Sequence, residues 1–459
     1  MDCALEESDA RALRDLGAFV NCSEHSSVPC FYSCEFATPA FETSRERPSF
    51  TVSLARRGSL AIESECQNLD KSPIFHIGAA NIKGAVNLLK AIRILVSCRT
   101  LTDAQFSILD YGACWRPDGI PPRSQDFMSE DLMSEVFTLF RSSPSLSCFH
   151  FINSLSDASL YCKHLQTLVC ENPRLETLTV LAGGLNLVVF AEAIAVCLSR
   201  NTVLNSFMLR DPTNFAQLNR ESLEILLRPL TSTSPSEANA KLNELALHLQ
   251  YPDGHSVDAI ANLVCRNTAL KKLDLRFSNF RSGLEDGNSL WREFCRALEV
   301  NQTLEELRCP CEVAALRELL VPFVPDRYGR QPNSTISTLR LSIAIVNDPE
   351  VVLRDLASAL QSNTSLKHVQ CIYECDGNGT YMDDVKYITD KNLCQAEIQI
   401  QEILRTMIDN ELRVNTSLES LVVGHWTLLR VGTEWQTSYR GPCLREQTGD
   451  YNVKVKLTR

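Results

Sequence analysis

Asn267-Thr268-Ala269-Leu270-Lys271-Lys272-Leu273-Asp274-Leu275 decides how the chain folds. Leu273 and Leu275 are two residues apart, which turns both to one side of a short strand. Just upstream, in Ser256–Arg266, Val257, Ile260, Leu263 and Val264 follow helical spacing. Asn267 falls between helix and strand. Asn tolerates a left-handed C-cap there and can bond its own backbone. One helix and one short strand cannot bury their apolar sides alone, so the unit calls for stacked copies.

The copies are present. Asn415-Thr-Ser-Leu418 leads to Leu421 and Val423, Asn201 to Leu204, Phe207 and Leu209, and Asn172 to Leu175, Leu178 and Val180. Asn301 leads to Leu304, Leu307 and Cys309, Asn333 to Ile336, Leu339 and Leu341, and Asn363 to Leu366, Val369 and Cys371. Two copies lack the Asn: Leu146-Phe149-Phe151 and Leu242-Leu245-Leu247. A degraded copy near Leu101 has Phe106 and Ile108 as its strand. The first apolar positions are 146, 175, 204, 242, 270, 304, 336, 366 and 418, with the tightest steps 28 or 29 residues. That period lies at the long end of the leucine-rich-repeat range. Ala191–Leu198 and Val352–Leu360 read as further repeat helices.

This pattern resembles the ribonuclease-inhibitor-like leucine-rich-repeat family. Relatives in that family include the repeat domains of nucleotide-binding innate-immune receptors and the GTPase-activating protein for Ran. The resemblance covers residues 76–423. It implies an α/β solenoid, a horseshoe of about nine or ten irregular repeats, with parallel strands on the concave face and helices on the convex face. The family's Asn ladder shortly after the second strand leucine is nearly missing. Only Asn279 comes close, one place late.

Residues 1–75 show no repeat and read as a partly disordered or capping region, with a short helix at Ala10–Val20. Four insertions interrupt the array: Tyr111–Phe127, Thr231–Asn239, Val321–Pro332 and Tyr373–Lys391. Residues 424–459 alternate aromatic and polar residues and read as a C-terminal cap with strands, or as the start of a further domain.

Composition narrows the function. A net charge of −11 disfavours general nucleic-acid binding, which needs clustered Lys and Arg. No stretch reaches the roughly 20 apolar residues that span a bilayer. The acidic start does not read as a secretory signal, so the expected location is the cytoplasm, with the nucleus as alternative. The 19 cysteines then read as free thiols. Core packing accounts for Cys309 and Cys371 at inward strand positions. Cys170 and Cys265, each five residues before a repeat leucine, read as buried helix positions. Asn301, Asn333, Asn363 and Asn415 sit in formal glycosylation triplets that the repeat turn itself generates.

Catalytic and cofactor motifs are missing. The chain has no phosphate-binding Gly-x-x-x-x-Gly-Lys-[Ser/Thr], no Gly-x-Ser-x-Gly and no His-Glu-x-x-His. No enzyme, cofactor or small-molecule substrate is expected. One metal constellation remains: Cys22, His25, Cys30 and Cys34 could wrap a zinc ion, or could simply be a Cys-rich segment.

Binding then falls to the strand face. The residue between the two strand leucines, and the one after the second, point away from the core. In order these are His150 and Ile152, Thr179 and Leu181, Met208 and Arg210, Ala246 and His248, and Asp274 and Arg276. Arg308 and Pro310, Arg340 and Ser342, Gln370 and Ile372, and Val422 and Gly424 follow. Four arginines and two histidines against one aspartate suggest a basic stripe facing a protein with an acidic surface. The first reading is therefore a non-catalytic interaction module or scaffold. One alternative is a regulator of a small GTPase. That family's members typically carry an acidic tail, whereas this sequence closes on Lys-Val-Lys-Leu-Thr-Arg. A substrate receptor of a ubiquitin ligase is a further alternative, though no F-box-like segment is seen in the first 75 residues.

Overall fold

The computed structural model describes residues 19–21, 30–32, 49–55, 74–77, 89–90, 92–93, 96–97, 103–109, 130–153, 159–182, 187–210, 220–232, 241–250, 254–278, 287–311, 313–325, 331–343, 349–373, 391–439 and 453–455. The chain forms two compact units. One comprises Met1–Ala216 with Thr233–Leu242, the other Gln217–Ser232 with Asn243–Arg459.

Both are built by alternation of strand and helix, the leucine-rich-repeat arrangement. The first unit holds a small antiparallel pair, β1 (Phe19–Asn21) and β2 (Cys30–Tyr32). It also holds the parallel strands β3 (Ser49–Ala55), β4 (Ile74–Ile77), β5 (Asp103–Leu109), β6 (Cys148–Asn153), β7 (Thr177–Ala182) and β8 (Ser206–Arg210). Their spatial order is β4-β3-β5-β6-β7-β8. Helices α1 (Glu130–Ser142), α2 (Ser159–Glu171) and α3 (Leu187–Arg200) separate the later strands and pack in succession. The degraded copy is in step with the others, because Phe106 pairs with Phe151, Phe151 with Val180, and Val180 with Leu209.

In the second unit, α4 (Arg220–Thr231) precedes β9 (Glu244–Gln250), α5 (Gly254–Arg266), β10 (Lys272–Ser278), α6 (Gly287–Val300) and β11 (Glu306–Cys311). Then come α7 (Val313–Leu320), β12 (Thr338–Ile343), α8 (Pro349–Ser362), β13 (His368–Tyr373), α9 (Lys391–Asp409), α10 (Glu411–Val414) and β14 (Ser420–Val423). Strands β9 to β14 pair in parallel, with Leu247 opposite Leu275, and Cys309, Leu341, Cys371 and Val423 opposite one another in turn. The inward residues alternate with half-buried ones, as in β12. The nine first apolar positions, from Leu146 to Leu418, are all at most 3% exposed, so each repeat buries its full apolar set. Truncating such a residue to Ala costs about 2–5 kcal/mol.

The repeat asparagines hold this stack together. Asn301 Oδ1 accepts the N–H of Thr303 (3.0 Å) and of Leu304 (2.8 Å), shaping the turn into β11. Its Nδ2 donates to the carbonyl of Val264 (2.7 Å), in the last turn of the preceding helix. Helix ends leave such carbonyls unsatisfied, so each Asn caps the helix of the repeat before it. Asn172, Asn201, Asn267, Asn333, Asn363 and Asn415 donate likewise to Phe140, Val169, Leu230, Leu298, Phe323 and Leu360. A side chain that donates at one end and accepts at the other is required, and that is why the position is Asn. The left-handed conformation expected there is not adopted at Asn415, which is extended at φ −69°, ψ 127°.

Three other expectations change. The parallel sheet reaches back to β3 and β4, inside the region read as lying outside the repeats. There Phe50, Val52 and Leu54 alternate as a strand, and the sequence before them has neither the repeat Asn nor helical apolar spacing. Phe19 and Val20 are strand rather than helix, in keeping with the preference of aromatic and β-branched residues for a pleated ribbon. The insertion at Val321 begins as a 3-10 turn, Val321–Phe323, with Pro322 and Phe323 buried. The Phe323 carbonyl receives Asn363, so the turn serves as a repeat helix end.

Beyond β14 the direction of pairing reverses. β15 (Trp426–Val431), β16 (Glu434–Tyr439) and β17 (Val453–Val455) are antiparallel. Gly424 and Gly432 take the left-handed φ of 56° and 64° that these reversals require. Trp426 is buried against Tyr439, ring centroids 4.7 Å apart, and its Nε1 donates to the Glu397 carbonyl of α9.

Candidate partner-binding face

The period of two that buries Leu273 and Leu275 turns Asp274 and Arg276 to the opposite side of β10. The parallel register repeats that choice strand by strand. In the second unit Ala246, Asp274, Arg308, Arg340, Gln370 and Val422 stand opposite one another in a single row. His248 pairs with Arg276, and Pro310, Ser342 and Ile372 form part of a second row. Most of these side chains are half-buried, open on the strand side and supported by their neighbours.

The register also brings in residues that the sequence reading left out. Glu244, Lys272, Glu306 and His368 sit one place before the first strand leucine, on the same side as the row. Arg276 grips Asp274 through Nε, 3.1 Å from both carboxylate oxygens, and through Nη2 at 2.8 Å. Arg308 Nε approaches the same carboxylate at 3.7 Å, and its side chain is only 11% exposed. Arg340 Nη2 meets Glu306 at 3.1 Å, and Lys272 meets Glu244 at 2.9 Å. Glu244 raises the Lys272 amine above its ordinary range by hydrogen bond and charge. Four bases (Lys272, Arg276, Arg308, Arg340) therefore oppose three acids (Glu244, Asp274, Glu306). Instead of a basic stripe, Arg276, Arg308 and Arg340 stand within an interleaved lattice of charge. The same period-two rule that located Asp274 could have located Glu244 and Glu306.

The first unit presents its own row, His150, Thr179 and Met208, with Leu181 opposite Arg210. His150 Nε2 lies 3.2 Å from Cys148 Sγ on the same strand. Arg210 makes no ion pair among the described residues. It belongs to the first unit, whereas Arg276, Arg308 and Arg340 belong to the second.

The remaining sequence candidates divide. Of the metal constellation, Cys22, His25 and Cys34 lie outside the described residues, as does the side chain of Cys30. Among the described residues no group of three or more His, Cys, Asp or Glu could hold a metal ion. The four formal glycosylation asparagines are buried with both ends of their amides bonded, so the turn explains them. Cys309 and Cys371 are fully buried core thiols. Burial pushes Cys371 up to about 12 and Cys309 higher still. The pairing of Cys170 with Cys265 as buried positions fails, because Cys265 is exposed and Cys170 half-buried. Cys170 has Cys197 of the next helix beside it. In α6 the position equivalent to Cys197, seven residues before the repeat leucine, is the smaller Ala297.

No protein-family model and no curated protein matches the chain. Among solved structures it is similar to a chain in the crystal structure of the Rad7 and Elc1 complex in yeast. Identity there is 13%, over 62% of this chain and 60% of that one, with a TM-score of 0.32. It is also similar to a chain in the TLR13–ssRNA13 complex, at 13% identity over 60% of this chain and 37% of that one, TM-score 0.27. The match thus spans less than two thirds of either chain's length. The repeat architecture stands on the strand register and the Asn brackets, not on these likenesses. No helix among the described residues is long and apolar enough to cross a membrane.

Proposed function

We propose that the chain is a non-catalytic protein-interaction module of the ribonuclease-inhibitor-like kind, binding its partner across the strand face of the second unit. One observation carries the reading. Asp274, Arg308, Arg340 and Gln370 come from four successive strands and stand in one row, on a scaffold whose inward residues are fully packed. Such a row is rigid, so little ordering entropy is lost on association. The Arg276 and Arg340 side chains are 30% and 42% exposed and can exchange an internal carboxylate for one on a partner. The partner in this reading is a protein whose contact surface carries carboxylates spaced to meet those two guanidinium groups. The reading places the module in the cytoplasm, with the nucleus as alternative.

The test compares protein recovery by the intact chain with recovery by Arg276→Gln/Arg340→Gln/Gln370→Ala. Arg292→Gln/Arg354→Gln, on exposed helix positions, serves as control. Loss of the same proteins from the strand-face variant, with their retention by the control, supports the reading. Equal recovery by all three chains contradicts it.

A further inference from the structure

The seam between α2 and α3 holds two thiols in an unequal setting. Cys170 lies in the last turn of α2 and is half-buried. Cys197 lies in the last turn of α3 and is fully buried. Each sulfur points into the other's helix. Cys170 Sγ is 4.0 Å from the Val196 carbonyl, and Cys197 Sγ is 4.0 Å from the Gln166 carbonyl. The two thiols are also hydrogen-bonded to each other.

We propose that Cys170 and Cys197 form a hydroperoxide-reactive pair, with Cys170 the attacking sulfur and Cys197 the resolving one. The asymmetry suits those roles. The hydrogen bond from Cys197 holds the Cys170 thiol below its ordinary range, against the opposing effect of burial, and the Arg200 charge adds to the lowering. Holding that proton, and then burial, push the Cys197 thiol well up. The thiolate is the nucleophile, so the accessible sulfur reacts first and the buried one waits as a thiol.

The chemistry balances. The Cys170 thiolate attacks the outer oxygen of a hydroperoxide. An S–O bond forms, the O–O bond breaks, and the alcohol or water leaves with the thiol's proton. Sulfur is oxidised by two electrons to the sulfenic acid and the peroxide is reduced. Cys197 Sγ then attacks the Cys170 sulfur, the S–O bond breaks, and hydroxide leaves as water with the Cys197 proton. The resulting disulfide, about 2.05 Å long, ties two successive repeat helices of the first unit together.

Cys265 supplies an internal control. It stands at the same place in its repeat as Cys170 but is exposed, and the next helix carries Ala297 where Cys170 has Cys197. The experiment treats the full chain with hydrogen peroxide at pH 7.5, blocks remaining thiols, and maps the digest by mass spectrometry. The expected product is a Cys170–Cys197 cross-linked peptide, formed several-fold faster than Cys265 is oxidised. In Cys197→Ser, dimedone should trap a sulfenic acid at Cys170. In Cys170→Ser neither product should form, with the melting temperature of each variant confirming that it folds. Arg200→Gln should slow Cys170 oxidation by a few-fold. Oxidation of Cys265 as fast as Cys170, or bonding of Cys197 to Cys162 instead, would overturn the proposal.

Discussion

Asn333 Nδ2 lies 2.7 Å from the carbonyl oxygen of Leu298, 35 residues earlier in the chain. It also lies 2.9 Å from the carbonyl of Asn301, the equivalent residue one repeat back. Asn415 repeats the second contact, with its Nδ2 3.0 Å from the carbonyl of Asn363. A single side-chain type thus closes one helix, opens the next strand and registers neighbouring repeats.

Replacing Asn301 by Ala should leave the Val264 carbonyl and the Thr303 and Leu304 amides without their partner in a buried turn. Each unsatisfied buried group costs about 1–3 kcal/mol, and water entering the space left by the side chain offsets part of the sum. A loss of about 3 kcal/mol in urea unfolding is expected. Asn301→Asp should be no better, since it sets a carboxylate oxygen against the Val264 carbonyl. Retained stability in either variant would mean the bracket contributes little.

The buried thiols make the fold sensitive to alkali. The Cys295 and Cys371 thiols are pushed up by burial to about 12 from an ordinary 9. Burial favours the protonated thiol, so its contribution is complete below pH 9 and is lost as pH rises from 9 toward 12. Each thiol should remove about 1.4 kcal/mol of stability per pH unit in that window. Melting temperatures measured from pH 8 to 11 should fall, and Cys371→Ala should flatten the slope while lowering the plateau. A pH-independent melting temperature would rule this out.

The first expectation, about the asparagines, separates what the sequence discloses from what it does not. Leucine spacing is local, so Leu270, Leu273 and Leu275 reveal strand, core face and repeat step without any structure. The positions of Asp274, Arg308 and Arg340 follow from the same spacing, and the register sets them opposite one another. The job of Asn is half local and half distant. Its bonds to the second and third following amides are implicit in the turn. Its carbonyl partners are 32 to 55 residues away and exist only once helices stack. Strand β3 stayed hidden because the sequence just before Phe50 carries neither the repeat Asn nor helical apolar spacing. The ion pairs Arg340–Glu306 and Lys272–Glu244 were missed because the residue before the first leucine was not counted with the face.

His425 Nδ1 lies 2.8 Å from Glu397 Oε1, a carboxylate with a side chain only 1% exposed. This contact ties the start of the antiparallel cap to α9. Leaving a buried polar group without its hydrogen-bond partner costs about 1–3 kcal/mol. His425→Ala should approach the lower end of that range, and Glu397→Gln should cost less, since the amide keeps a polar contact without the charge. A double-mutant cycle with no coupling between the two positions would refute the clamp.

Gly432 turns β15 into β16 with φ at 64°, and a Cβ there would meet nothing within 4 Å. Any cost of Gly432→Ala is then conformational, about 1 kcal/mol. Thermal unfolding should show that small loss with no change in partner recovery, because the turn is remote in sequence from the strand-face row.

The claim that function resides on the strand face is tested most directly by affinity measurement with the first recovered partner. Titration with the intact chain, with Arg276→Gln/Arg340→Gln/Gln370→Ala and with Arg292→Gln/Arg354→Gln decides it. The strand-face variant should bind at least tenfold more weakly, a change of about 1.4 kcal/mol, while the helix-side variant keeps the affinity of the intact chain. Unchanged affinity in the strand-face variant, or an equal loss in both, would contradict the account.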